Sequence, residues 1–298
     1  MQGGNRQLKV VWRREWDYQK RGLLIQWAVG VSLLLLLFLI YSLKESWLFN
    51  GLSYVKALPP ALYAFVGFTE ETLPSGSLFT FIELFVMCLH VWLAWSFGAR
   101  GMQSIWREEE DNHIYLIANQ WCGRYELAIY KFTWSAVSML ATYVALFLPG
   151  VVLLLAGSAS RVLLLENVMA MLGWMIRGCF VLLLLLTVCV SYALCCGYRE
   201  QTYWAGGVVF GTLIIGNLYK IRDLACWILE RLQINGELFN RLLGWLDGLY
   251  WISPLSWLNP FREAGALQIT GQTVLCIIIA GIFGLAGIFR YRTRELGW

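Results

Sequence analysis

The chain has 298 residues, is 59% hydrophobic and 14% charged, and has a mean hydropathy of +0.60. A soluble domain is nearer half apolar and a quarter charged, so a soluble fold is excluded and an all-α polytopic membrane protein is expected. The net charge of +4 reads first as a membrane-orientation signal rather than a nucleic-acid footprint.

The chain opens with a mostly polar stretch, and no small-residue cleavage site follows the first apolar run, so that run is expected to stay as an anchor. Within LKVVWRREWDYQKR (8–21), Leu8, Val11, Trp12 and Trp16 share one helical face while Arg13, Arg14, Asp17 and Lys20 look elsewhere. This pattern predicts an amphipathic helix over 1–21, lying in the headgroup layer. Apolar runs then predict six membrane-spanning helices at roughly 22–42, 77–98, 132–156, 168–196, 203–219 and 272–290. The fourth is long and the fifth short, which predicts tilt or a break.

The segments between the spans divide by charge. Six crossings put both termini on one side. That side collects 14 of the 23 Lys and Arg residues, including Arg13, Arg107, Arg124 and Arg292, against 8 on the other side and Arg177 inside a span. By the positive-inside rule both termini are cytoplasmic. The outer loop 44–76 contains ALPPALYAFVGF, apolar but broken by proline, and is expected to be interfacial or re-entrant. The long outer segment 220–271 carries IRDLACWILERL and RLLGWLDGLYWISPLSWLNPF. It is expected to form amphipathic helices before the last span, acting as a lid or as structural capping.

Between the second and third spans lies the charged cytoplasmic segment 99–131. There Ile114, Ile117, Ala118 and Trp121 form one helical stripe behind Glu109, Glu110 and Asp111. A short helix, apolar on one face and projecting between two spans, is suited to docking on a partner; a solvated loop helix is the alternative.

These residues resemble the coupling-helix region of ABC-2-type transporter permeases. Glu109 and Glu110 match the family's acidic pair, Ile114, Leu116 and Ile117 its apolar run, Arg124 its arginine and Lys131 its lysine. Asn112, His113 and Trp121 depart from the family's Gly, Thr and Pro. WRREWDYQKRGLLIQW is similar to the family's elbow before the first span. ALPPALYAFVGF resembles an outer-loop element, ISPLSWLNPF the approach to the last span, and FRYRTREL the basic ending.

The resemblance implies a single transmembrane domain over 1–298 that is the permease subunit of a bacterial ABC exporter. It also implies a coupling contact through Glu109, Glu110, Ile114, Ile117, Trp121 and Arg124, and a second permease copy or homologous permease as partner. No phosphate-cradling G-x-x-x-x-G-K-[ST] is present, so the chain itself is not expected to be an enzyme. ATP and Mg would sit on a separate ATPase subunit. The expected location is the bacterial cytoplasmic membrane. Apolar spans and aromatic-rich outer helices suit an amphipathic peptide, a lipid-like molecule or a hydrophobic drug, with an antimicrobial peptide preferred. The alternatives are an ion-coupled secondary transporter and a non-transporting scaffold or sensor that recruits an ATPase.

Inside the spans, Glu83 and Arg177 are candidates for an ion pair or a substrate pathway. His90 is read as a hydrogen-bonded helix contact. Gly207 and Gly211, four apart, and Gly281, Gly284 and Gly287 on the last span are expected to serve close helix packing. The eight cysteines have no zinc-like spacing and are read as small apolar residues.

Overall fold

The computed structural model describes residues 2–42, 78–110, 124–157, 161–196, 202–216, 244–258 and 266–293, with a few isolated positions between 218 and 241. Every regular element among them is a helix: α1 (Gln2–Ser42), α2 (Leu78–Glu110), α3 (Arg124–Gly157), α4 (Arg161–Cys196), α5 (Thr202–Gly216) and α6 (Ala266–Thr293). Two short 3-10 helices, Gly244–Ile252 and Pro254–Leu258, precede α6.

Among the described residues, three helical segments are long and apolar enough to cross a membrane: Tyr125–Leu153, Leu165–Cys196 and Leu267–Thr293. This marks the chain as a membrane protein. The expected fourth and sixth spans fall within the last two, and the expected third, 132–156, overlaps the first as far as Leu153. The other expected crossings lie along α1, α2 and α5. At 15 residues, α5 is about 22 Å long, less than the ~30 Å hydrocarbon thickness.

The helices differ in how deeply they sit. In the most apolar window of α4, 61% of residues are buried, against 17% in α6. α4 is therefore the centre of the bundle, touching α2, α3 and α6, and α6 is a peripheral helix laid against it. The core is made by side chains such as Phe97, Met139, Tyr143, Phe147, Met171 and Leu182. Close approach of α2 to α4 depends on Gly101, where a Cβ would come within 2.8 Å of Val190.

The fourth span, expected to tilt or break, lies in the unbroken 36-residue helix α4, which excludes the break. Two further expectations are corrected. The amphipathic stretch 8–21 is not a separate helix; it continues without interruption into the first apolar run as α1. One inward stripe serves both, through Val11, Glu15, Gln19, Leu23, Gln26, Gly30, Leu34 and Phe38. A single helical phase needs no break. Finally, Gly207 and Gly211 do not mark a tight contact among the described residues. A Cβ at Gly211 meets nothing within 4 Å, and one at Gly207 only Trp204 of the same helix. The neighbouring Gly206 faces Trp95 of α2 instead.

The segment before α6 caps the bundle. Ser253 through Leu258 are all buried against neighbouring helices. Its turn is closed by Ser256, whose backbone N–H donates to the Ser253 carbonyl at 3.1 Å. Trp251 and Trp257 meet edge-on at 6.2 Å. The outer-loop expectations over 44–76 lie outside the described residues, as does most of 220–243.

Candidate functional site: a buried charge junction at the base of the bundle

The ends of α2 and α3 flank residues 111–123, and both are fastened to α1 by one carboxylate. Glu15 is 1% exposed, in the middle of the inward stripe of α1. Its Oε1 lies 3.3 Å from Nζ of Lys131 on α3, itself 2% exposed. Its Oε2 lies 3.5 Å from Nη2 of Arg107 on α2 and accepts from Gln19 Nε2 at 2.9 Å. Lys131 also donates to the backbone carbonyl of Ser104 on α2. Both carboxylate oxygens and two cations are thus committed to a single cluster shared by three helices.

Aromatic groups shield it. The Trp12 indole donates to the Tyr130 carbonyl at 3.2 Å. Trp12 and Trp16 meet Trp134 of α3 edge-on, at 5.8 and 6.3 Å between centroids. The Arg107 guanidinium lies over the Tyr18 ring at 4.1 Å, a cation–π contact. Toward the membrane the same seam continues: Arg100 donates to the Gly22 carbonyl at 3.2 Å, and Gln26 to Ser96 at 2.7 Å. Energetically the cluster is asymmetric. A buried ion pair adds little net stability over a well-packed apolar equivalent. Removing one partner leaves an uncompensated buried charge and costs about 3–5 kcal/mol.

The sequence-derived coupling residues lie wholly or in their side chains outside the described residues. Glu109 and Glu110 occupy the last turn of α2, and Arg124 opens α3, but their side chains lie outside the described residues. Ile114, Ile117 and Trp121 fall in 111–123, wholly outside them. The Glu83 side chain on α2 is likewise outside the described residues. Arg177 is half-buried on α4, beside Trp257 and Gln272.

His90 is placed as the sequence suggested. Its Nε2 lies 2.7 Å from the Tyr143 hydroxyl, joining α2 to α3 deep in the core. Gly178 of α4 faces this pair so closely that a Cβ there would fall 2.3 Å from the Tyr143 oxygen and 2.4 Å from His90 Nε2. No group of His, Cys, Asp and Glu able to hold a metal occurs among the described residues.

Glu15 escaped the reading of the sequence, which placed Trp16 with Leu8, Val11 and Trp12 on a headgroup-facing side and did not single out the carboxylate; Glu15 is buried and Trp16 exposed. The signal was available: projecting Gly30, Gln26 and Leu23 backward by helical steps arrives at Gln19 and then Glu15.

Comparison with protein-family models, with curated proteins and with solved structures gives no match to this chain.

Proposed function

We propose that this chain is the membrane permease subunit of an ATP-driven exporter, with six crossings, both termini cytoplasmic, and ATP hydrolysis on a separate ATPase subunit. The observation that supports this reading is the Glu15 junction. A segment that receives force from a partner is useful only if its two roots move with the rest of the bundle. Here the roots, at Arg107 and Lys131, share one buried carboxylate on a third helix. A push delivered at 111–123 would be passed to α1, α2 and α3 together, as a rigid-body shift of packed helices. The resemblance of Glu109, Glu110, Ile114, Ile117, Trp121 and Arg124 to a coupling helix gives the push its origin. Two permeases, identical or homologous, would pair in the bacterial cytoplasmic membrane to form the pathway. The substrate class we assign is an amphipathic peptide or a similarly amphiphilic molecule.

The test is co-purification. Tagged chain in mild detergent should capture an ATPase, and Glu110→Arg with Ile114→Asp should release it while the permease stays folded. Capture of no ATPase by the wild-type chain would refute the proposal. Capture without substrate-stimulated hydrolysis would favour a scaffold that recruits an ATPase for other work.

A further inference from the structure

A groove of about 480 Å³ runs between α3, α4 and α6, the three helices that carry the membrane-crossing segments. Its walls are apolar: Ala128 and Phe132 from α3, Leu183 from α4, and Leu285 from α6, with the hydroxyls of Thr187 and Ser191 as polar exceptions. The Thr187 hydroxyl is already committed to the Leu183 carbonyl at 2.7 Å. Along α6 the groove extends from Cys276 to Ile288, about 18 Å at 1.5 Å per residue. That is slightly more than half of the ~30 Å hydrocarbon core, the depth reached by an acyl chain of one leaflet. The groove exists because α6 presents glycine there. A Cβ at Gly281 would meet nothing within 4 Å, and at Gly284 only Thr187 at 3.5 Å. It is open outward, with Leu285 72% exposed.

The two ends differ. Beyond Cys276 the space narrows to a cavity of about 10 Å³ beside Arg177 and Gln272, room for a single water and too small for a lipid headgroup. The amide of Gln272 is buried there with no hydrogen-bond partner among the described residues. Beyond Ile288 the groove reaches the basic end of α6, where Arg290 and Arg292 are both exposed. Arg292 follows Ile288 by four residues, hence lies on the same face. Helical side chains lean toward the preceding turn, which brings its stem back over the mouth of the groove. α6 contains no Asp or Glu. In the first turn of α3, Glu126 accepts from the Tyr125 hydroxyl at 3.3 Å.

We propose that this groove holds one anionic phospholipid, its acyl chain along Gly281 and Gly284 and its phosphate at Arg292. The apolar length selects a chain, and the basic mouth selects a negative headgroup, as basic recesses between membrane helices do. This inference is independent of the ATPase.

The experiment is native mass spectrometry of the full chain, purified in detergent carrying equal amounts of dioleoyl-phosphatidylglycerol and dioleoyl-phosphatidylcholine. The wild type is expected to retain one phosphatidylglycerol per chain, at least tenfold in preference to phosphatidylcholine. Gly281→Phe, which adds a ring where there is open space, should lose the retained lipid. Arg292→Gln, at an exposed position that leaves the fold intact, should abolish the headgroup preference, while Arg290→Gln on the opposite face of α6 should leave it unchanged. Equal retention of both lipids by the wild type would overturn the proposal. So would unchanged retention by Gly281→Phe, or efficient disulfide cross-linking of Gly281→Cys between two copies in membranes, which would put a second chain on the groove.

Discussion

The base of α1 and the outer face of α6 are both at the edge of the bundle, and they are attached by opposite means. At the base, Glu15 and Lys131 are drawn out of water, Arg107 is partly so, and both cations are tied to the one carboxylate. Along the outer face of α6, apolar side chains and glycine line the contact with α3 and α4. Gly287 sits where a Cβ would be 2.9 Å from the Ser191 backbone, while two turns earlier Gly281 borders empty space. Ionic fastening fixes one geometry, because a displaced partner leaves a bare buried charge. Apolar contact tolerates sliding and exchange with lipid. The junction is therefore suited to passing motion between helices, and the α6 face to meeting the membrane.

Breaking the junction should give the largest effect. Glu15→Ala is expected to destabilise the folded chain by about 3 kcal/mol, in line with loss of one partner of a buried pair, read as a lowered midpoint of thermal unfolding in detergent. Adding Lys131→Met should restore part of the loss, since the second change removes the orphaned cation; a strictly additive double mutant would mean that the two side chains do not interact. Next comes the core. Gly178→Ala forces a methyl into the His90–Tyr143 contact, and overpacking of this kind costs about 1–3 kcal/mol. The same substitution at Gly281, where a Cβ meets nothing within 4 Å, should stabilise by up to about 1 kcal/mol through helix propensity alone. Comparing the two melting curves separates a packed glycine from an open one, and equal shifts would contradict the assigned geometry.

The smallest effect belongs to the exposed side of α1. Lys20 donates to Asp17 at 2.9 Å, and this hydrogen bond together with the ammonium charge holds the carboxyl below its ordinary value of 3.8. A depressed folded-state pKa gives a contribution that is complete above the ordinary value and is lost as pH falls through the depressed one. Melting curves of wild type and Asp17→Asn should therefore stay parallel from about pH 5 to pH 9 and converge only below about pH 4.

Much of this architecture could be read directly, because continuous apolar runs such as 168–196 report burial in lipid whatever their neighbours are. The helical class and the location of three membrane-crossing segments follow from hydropathy alone. What was not legible depended on phase and on partners. The Trp-rich stretch 8–21 offers several helical faces, and passing over Glu15 reflects the ordinary rule that a carboxylate stays in water. The rule fails here because Lys131, more than a hundred residues away, supplies the opposite charge. Glycine spacing was equally ambiguous. Gly207 and Gly211 have the four-residue interval of close packing yet meet no neighbouring helix among the described residues, whereas Gly287 does as expected, and Gly30, Gly98, Gly101 and Gly178, which no spacing marked, do as well. A glycine shows that approach is permitted, and only the neighbour decides whether it occurs. The Ser253–Leu258 cap is a similar case, since its burial depends on α2, α4, α5 and α6 assembling around it.

The measurement that tests the central claim most directly is backbone hydrogen exchange over 8–21 in the chain purified with the ATPase subunit we propose for it, with and without ATP. If the Glu15 junction carries motion from 111–123 into the bundle, ATP should change exchange in 8–21 together with the adjoining ends of α2 and α3. Glu15→Gln should uncouple them, leaving 8–21 unresponsive while the ATPase stays bound. Exchange in 8–21 that ignores ATP in the wild type, or that responds equally in Glu15→Gln, would contradict the account.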